Sequence, residues 1–371
     1  MIYYFIIASF LAICYFYFII ILIKAWNKTQ EYQKGWTNPF DILISVIIAA
    51  RNEEENIILL LKSIEYQDFN KNNYEVIIID DFSTDNTYNL VEKFCENKSN
   101  FNIYKLTDNF GKKNAIIKAI NLSKGNLIVT TDADCIVNET WLSTIAGFYK
   151  KFKPKMIISP VLLNTTNKFS KIQALDFLSL ISSAAATCGI NKAILANGAN
   201  LIYEKSVFYE FNNPLNESVS SGDDIFLLLN IKKKYPAKIL FLKSNDAVVK
   251  TKAKKNLKSF LSQRKRWASK SKSYNDRDII SVSIFVFFVN LFLFINLVLI
   301  SINLKFSIVF FIFFGVKTLV DFIFLYKTSS FFKQKKLLWF IIPTEIFNVV
   351  IIPFLAISGI FGKTFWKGRK I

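Results

Sequence analysis

With 371 residues, 52% of them hydrophobic and 16% aromatic, and a mean hydropathy of +0.30, the chain is too apolar for an ordinary soluble protein of its length, so part of it belongs in lipid. A formal net charge of +19 invites nucleic acid as a partner, but the basic residues gather beside apolar stretches, which points to lipid head groups and away from nucleic acid. Histidine is absent, which removes imidazole acid-base catalysis, His-based triads and zinc sites of the usual make-up, and leaves carboxylates, Lys, Arg and hydroxyls for any chemistry.

Residues 2–23, "IYYFIIASFLAICYFYFIIILI", carry no charge and are long enough to cross a hydrocarbon core of about 30 Å at about 1.5 Å per residue. They predict a transmembrane helix within residues 1–24. A cleaved signal peptide is the competing reading, but no basic region precedes the run and no small-x-small site follows it. Lys24 and Lys28 come next, and by the positive-inside tendency they place the following chain in the cytoplasm.

From about 40 to 250 the pattern alternates. Apolar, β-rich runs at 42–50, 74–80, 102–106, 126–132 and 155–161 predict strands, and stretches of helical spacing from Glu53, Thr84 and Lys112 separate them. Continuous apolar strands with helical crossovers predict an α/β domain with a mainly parallel sheet covered on both faces. In such sheets ligands lie beyond the carboxyl ends of the strands. Three strand ends carry polar clusters: Arg51-Asn52-Glu53, Asp80-Asp81 and Asp132-x-Asp134. The last pair, in "VTTDADCI", fits a metal site, an acid and base, or a turn. The four cysteines form no C-x-x-C pair and read as free thiols of a cytoplasmic protein.

Between Lys250 and Arg277 the chain is dense in Lys and Arg and runs straight into an apolar stretch, so 251–278 is expected to lie along the membrane surface. Three more apolar stretches follow at 279–304, 306–326 and 337–361. Lys317, Asp321 and Glu345 interrupt them, and at membrane depth such groups are tolerated only against protein or water. Lys317 and Asp321 fit either a relay or an internal ion pair at i, i+4 spacing. Alternating four full spans would put the basic tail "KTFWKGRKI" outside, against the charge rule, so 337–361 is expected to be broken or re-entrant within a membrane region of 279–362.

The motifs "SVIIAARNEEENI", "EVIIIDDFSTDNT", "GKKNAI", "TDADC", "SGDDIFLLL" and "QRKRW" occur in that order. Together they resemble a membrane-bound family 2 glycosyltransferase with a GT-A, Rossmann-like catalytic domain. The resemblance is to the group with cellulose, hyaluronan and poly-N-acetylglucosamine synthases and ceramide glucosyltransferases, and it covers nearly the whole chain. It implies a GT-A domain over 40–250 flanked by transmembrane helices, a nucleotide-sugar donor and Mg²⁺ or Mn²⁺. By this resemblance Asp134 is a metal ligand, Asp132 contacts ribose or the metal, and Asp81 accepts a hydrogen bond from the base. Glu53 belongs to the first nucleotide-binding loop, although a plain helix amino end explains it nearly as well. Lys112, after Gly111 at a helix start, meets a phosphate; Lys113 reads equally as a solvated lysine. Asp224 is the base, oriented by Asp223. Gln263 and Arg266 close over the diphosphate, and Trp267 forms the floor under the acceptor. Arg264 and Lys265 are expected at lipid head groups. In "NGANLIYEKSVF", Tyr203, Glu204 and Lys205 stand where relatives often carry Arg, a departure that touches the acceptor side.

The expected function is inverting, metal-dependent transfer of a sugar, from a UDP-sugar in the first instance, to a lipid or saccharide acceptor at the cytoplasmic face of the membrane. A lipid acceptor is favoured because few spans are available for polymer export. A processive polysaccharide synthase is the alternative, and a non-catalytic nucleotide-binding scaffold is the alternative of another class.

Overall fold

The computed structural model describes residues 2–35, 42–108, 110–217, 219, 221–361, 365–366 and 369–370. The amino-terminal part runs α1 (Ile2–Lys28), β1 (Ile44–Ala50), α2 (Ile57–Glu65), β2 (Tyr74–Asp80), α3 (Thr87–Cys95), β3 (Phe101–Lys105), α4 (Lys112–Leu122), β4 (Leu127–Asp132), β5 (Ile136–Val137) and α5 (Trp141–Phe152). It continues with β6 (Met156–Ile158), β7 (Val161–Asn164), α6 (Lys168–Cys188), β8 (Leu201–Glu204), α7 (Lys205–Phe208), α8 (Asp223–Lys234), β9 (Ile239–Phe241), β10 (Val249–Lys252) and α9 (Leu257–Ser269). The long helices α10 (Arg277–Leu299), α11 (Lys305–Phe331) and α12 (Ile341–Phe361) follow, then two short paired strands, β11 (Phe365–Trp366) and β12 (Arg369–Lys370).

A seven-stranded sheet has the order β3-β2-β1-β4-β8-β6-β9. Its first four strands are parallel, β8 runs antiparallel between β4 and β6, and β6 pairs parallel with β9. Every residue of β2 is buried, so both faces of the sheet are covered, as its unbroken apolar run demands. Helix α4 lies against β1 and β2 through Ala115, Ile116, Ala119 and Ile120, the helical spacing that puts one apolar stripe on the sheet. A smaller sheet, β5-β10-β7, extends the domain past the end of β4. The register that pairs Ala50 with Asp80 and Ala49 with Asp132 brings the polar ends of β1, β2 and β4 to one edge. The three polar clusters therefore share one rim.

Among the described residues, four helices are long and apolar enough to cross a membrane: Tyr3–Lys28, Arg277–Leu299, Lys305–Phe331 and Lys335–Gly359. The stretch expected to be broken is one continuous helix through Pro353, entered by a 3₁₀ turn over Lys335–Phe340. Apart from β11 and β12, the basic tail 363–371 lies outside the described residues. Helix α6 joins the α/β domain to this bundle, because it packs on β7 and β9 at one side and on α1, α11 and α12 at the other. Its amino end is fixed by a capping box in which Asn167 and Ser170 exchange hydrogen bonds of 2.8 and 2.9 Å. Buried Lys232 ties α8 to the start of α10, bonding Asp276 at 2.9 Å and Asp278 at 2.8 Å.

Lys317 and Asp321 form an internal ion pair of 2.8 Å, and Lys317 also binds Glu345 of α12. The Tyr15 hydroxyl of α1 donates to Asp321 at 2.8 Å. One cation thus faces two carboxylates from two helices, and Tyr15 ties in a third. Breaking a buried pair from the cation side strands both acids and costs on the order of 3 kcal/mol. Lys317→Met should accordingly lower the melting temperature of the detergent-solubilised protein more than Glu345→Gln, which leaves one cation facing one carboxylate. Equal melting temperatures for the two variants would show that the cluster contributes no such clamp.

The basic segment after β10 is helix α9, capped by Asn256 and Ser259, followed by a 3₁₀ turn at Lys270–Ser273. It packs against α12 so closely that a Cβ on Gly359 would lie 2.7 Å from the Cβ of Ala268, so only glycine permits this approach. Arg264, expected at head groups, instead pairs with Asp176 of α6, and its guanidinium lies 4.7 Å above the ring of Trp267. The partner that draws it inward stands on α6, which is distant in sequence.

Candidate active site

A cavity of about 330 Å³ opens beyond the carboxyl ends of β1 and β4. Glu53, Lys112, Asp132, Asp134, Asp223, Asp224, Gln263, Arg266 and Trp267 all line it. The chain brings them from the ends of β1 and β4, the first turns of α4 and α8, and the middle of α9. Asp81 is not among the lining residues. Its side chain is buried and accepts the Gly111 N–H at 2.9 Å, which fixes the turn that starts α4; burial raises its pKa against the pull of that bond and of Arg51. Asp80 is a strand-end residue that accepts the Ser83 N–H at 3.1 Å.

Lys112 is the hub of the acidic side. Its ammonium lies 2.6 Å from Asp132 and 3.8 Å from Asp223. Burial alone would lower its pKa, but the two carboxylates outweigh burial and raise it, so the lysine is a fixed positive charge. Asp223 is correspondingly lowered in spite of burial, because Lys112 and Lys270 both face it. Asp134 has the opposite balance. Burial raises it, and Asp132 and Glu53 add like charge that Lys254 and the Thr251 hydroxyl only partly offset.

That balance is the observation that bears on a divalent cation. Asp132 and Asp134 offer the oxygen ligands that Mg²⁺ and Mn²⁺ take, and their mutual repulsion is what a dication would relieve. Among the described residues no group of three or more Asp, Glu, Cys or His side chains is spaced to hold a metal ion alone. The donor set fits a cation whose remaining ligands come from a bound molecule.

Asp224 stands in the first turn of α8, where the helix amino end favours an anion. Its Oδ1 accepts the Ile225 N–H at 2.8 Å and its Oδ2 the Gly198 N–H at 3.3 Å, so the carboxylate is aimed from both sides. Arg266 faces Asp132, Asp224 and Asp223, and burial lowers its pKa against their pull. The opposite wall is apolar: Phe177, Leu180, Ile181 and Ala184 of α6, with Leu195 and Phe260.

Sequence reasoning missed Gly198 and Lys270, whose places depend on loops meeting only in three dimensions. Lys113, read equally as a solvated lysine, is buried, and its ammonium donates to the carbonyls of Leu215 at 2.6 Å, Asn216 at 2.8 Å and Val219 at 2.5 Å. Burial brings its pKa down to about 8. It anchors the loop that leads to Asp223 and Asp224. Tyr203 and Glu204 serve the fold: Tyr203 is buried in β8, and Glu204 binds Lys155 at 2.5 Å.

Residues 45–210 match the description "Glycosyl transferase family 2". Over 108 residues the chain is 36% identical to the poly(ribitol-phosphate) beta-N-acetylglucosaminyltransferase TarS of Staphylococcus aureus, covering 28% of this chain and 18% of that protein. Over 166 residues it is 31% identical to the poly-beta-1,6-N-acetyl-D-glucosamine synthase of Staphylococcus aureus, covering 43% of this chain and 37% of that one. The match thus spans less than two fifths of either relative. In fold it is similar to the mannosyltransferase PcManGT of Pyrobaculum calidifontis, solved with GDP-Man and Mn²⁺, at a TM-score of 0.57 and 14% identity over 97% of each chain. The chain therefore carries a stretch, residues 45–210, that matches glycosyl transferase family 2.

Proposed function

We propose that the chain transfers a sugar, with inversion, from a nucleotide-sugar donor to a lipid acceptor at the inner face of the membrane. The observation that carries this reading is one cavity with an acidic and cationic end and an apolar wall built on α6, the helix that also packs against the membrane bundle. A nucleoside diphosphate needs cations, and Lys112 and Arg266, which both line the cavity, supply them. Asp134, with Asp132, would hold Mg²⁺ or Mn²⁺, which supplies neutralising charge for the departing diphosphate. Glu53, Asp81 and Gln263 belong to the donor side, Asp81 by holding the turn at Gly111.

In the transfer step Asp224 takes the proton from the acceptor hydroxyl as its oxygen bonds to the anomeric carbon. The carbon–oxygen bond to phosphate breaks on the opposite face, and its electron pair leaves with the nucleoside diphosphate. Asp223, held by Lys112, keeps Asp224 in register with the donor. Trp267 supports the acceptor near the interface, where an indole face suits both sugar and lipid.

The domain boundaries follow the same division: 1–24 and 279–362 in the membrane, 40–250 catalytic and 251–278 interfacial. Lys24, Lys28 and the basic run 250–277 all flank the catalytic domain, which supports a cytoplasmic orientation. A second reading, a processive polysaccharide synthase, is favoured by the similarity to the poly-beta-1,6-N-acetyl-D-glucosamine synthase of Staphylococcus aureus.

A donor panel on the purified full chain tests the donor half of this proposal. With bacterial lipid extract and Mn²⁺, one UDP-sugar should release UDP well above the others, and EDTA should stop it. Release from no nucleotide-sugar with any divalent cation would overturn the proposal.

A further inference from the structure

Lys270 follows α9, three residues beyond Trp267, and has no part in the motifs that mark the donor site. It is buried, at 7% exposure, although it lies in a strongly basic surface segment. Burying a lysine is costly unless its charge is matched. The match is at the amino end of α8, where the ammonium lies 3.9 Å from Asp224 Oδ1. Lys112 lies 3.8 Å from Asp223. Each of two adjacent carboxylates thus has a lysine ammonium within 4 Å, delivered by a different element.

The backbone is shaped for this approach. Gly222 has φ +92°, a conformation open to glycine, and a Cβ there would lie 2.9 Å from the Lys270 Cδ. The lysine stem therefore passes directly over the residue that starts α8. On its other side α9 is pressed to α12 at Ala268 and Gly359, so the place of Lys270 is set by how the interfacial helix seats on the membrane bundle.

We infer that Lys270 is a positioning residue for transfer: its ammonium, held by the seating of α9, fixes the aim of the Asp224 carboxylate toward the acceptor hydroxyl. This rests on the reading of Asp224 as the base. The Gly198 N–H holds one oxygen of that carboxylate, and Lys270 faces the other. Interfacial docking and base geometry are then one arrangement.

The test is a double-mutant cycle on the full chain in vesicles of bacterial lipid extract, using the UDP-sugar that the wild type turns over. Lys270→Met should lower kcat about 10- to 100-fold and leave the donor KM within about threefold. Lys270→Arg should recover most of the loss. In an Asp224→Asn background Lys270→Met should add less than about twofold, because a positioning residue has no effect once its target is gone. If Lys270→Met does not fold, Lys270→Gln takes its place in the cycle. Losses that multiply in the double variant, or a rise in donor KM with kcat unchanged, would overturn the inference while leaving Asp224 as base. Wild-type kcat in Asp224→Asn alone would remove the base reading, and the inference with it.

Discussion

Asp224→Asn should bind donor as the wild type does and transfer sugar roughly 10²- to 10⁴-fold more slowly. The substitution keeps the shape of the side chain and an oxygen for the Ile225 N–H, 2.8 Å away in the parent, so α8 has no cause to move. What it removes is the group that accepts the proton of the acceptor hydroxyl. The carboxylate lines the same cavity as the donor-side lysine, yet the cation nearest to it is Lys270, and Lys112 pairs with Asp132 and Asp223 instead. Donor binding and base function are thus separable by residue. Calorimetric titration with UDP beside single-turnover transfer measures both. A collapse of donor affinity with an unchanged rate per bound donor would assign Asp224 to the donor site.

The second large effect is expected at Asp134. Asp134→Ala should abolish donor turnover and the metal-dependent part of UDP binding, while the melting temperature in detergent stays close to that of the wild type. Asp134 lies just past β4, partly buried, and is raised by burial and by the like charge of Asp132 and Glu53. Such a carboxylate adds little to the fold, and its removal relieves repulsion. Asp132 alone would leave one carboxylate at the site, and Lys112, 2.6 Å away, already offsets its charge. Near-normal turnover by a well-folded Asp134→Ala protein would refute the metal assignment.

The sheet was legible because its strands are buried on both faces. Apolar runs without a polar break predicted 42–50, 74–80 and 126–132, and the strands occupy 44–50, 74–80 and 127–132. The rim of the site was legible for the same reason, since the acids stand where those runs stop. Helix α6 was not read. It packs between the sheet and the membrane helices, so its small and apolar residues show no single stripe against a polar face. That gap had a consequence for Arg264: with Asp176 unseen on α6, a basic residue in a basic segment could only be assigned to the surface. Lys113 and Lys270 are further cases. A lysine is read as solvated unless its partner is known, and their partners, loop carbonyls and the α8 carboxylates, lie about 100 and 46 residues away. Asp81 shows the converse, a residue whose motif points to the ligand and whose side chain holds the backbone of the α4 turn.

The most direct test of the account is the product itself. The purified full chain, given its UDP-sugar carrying a radiolabelled sugar, Mn²⁺ and vesicles of bacterial lipid extract, should convert the label into a discrete lipid bearing one or a few sugars, extractable into organic solvent and identified by mass spectrometry. A ladder of long, lipid-free chains from the same reaction would contradict the lipid acceptor and establish a processive synthase.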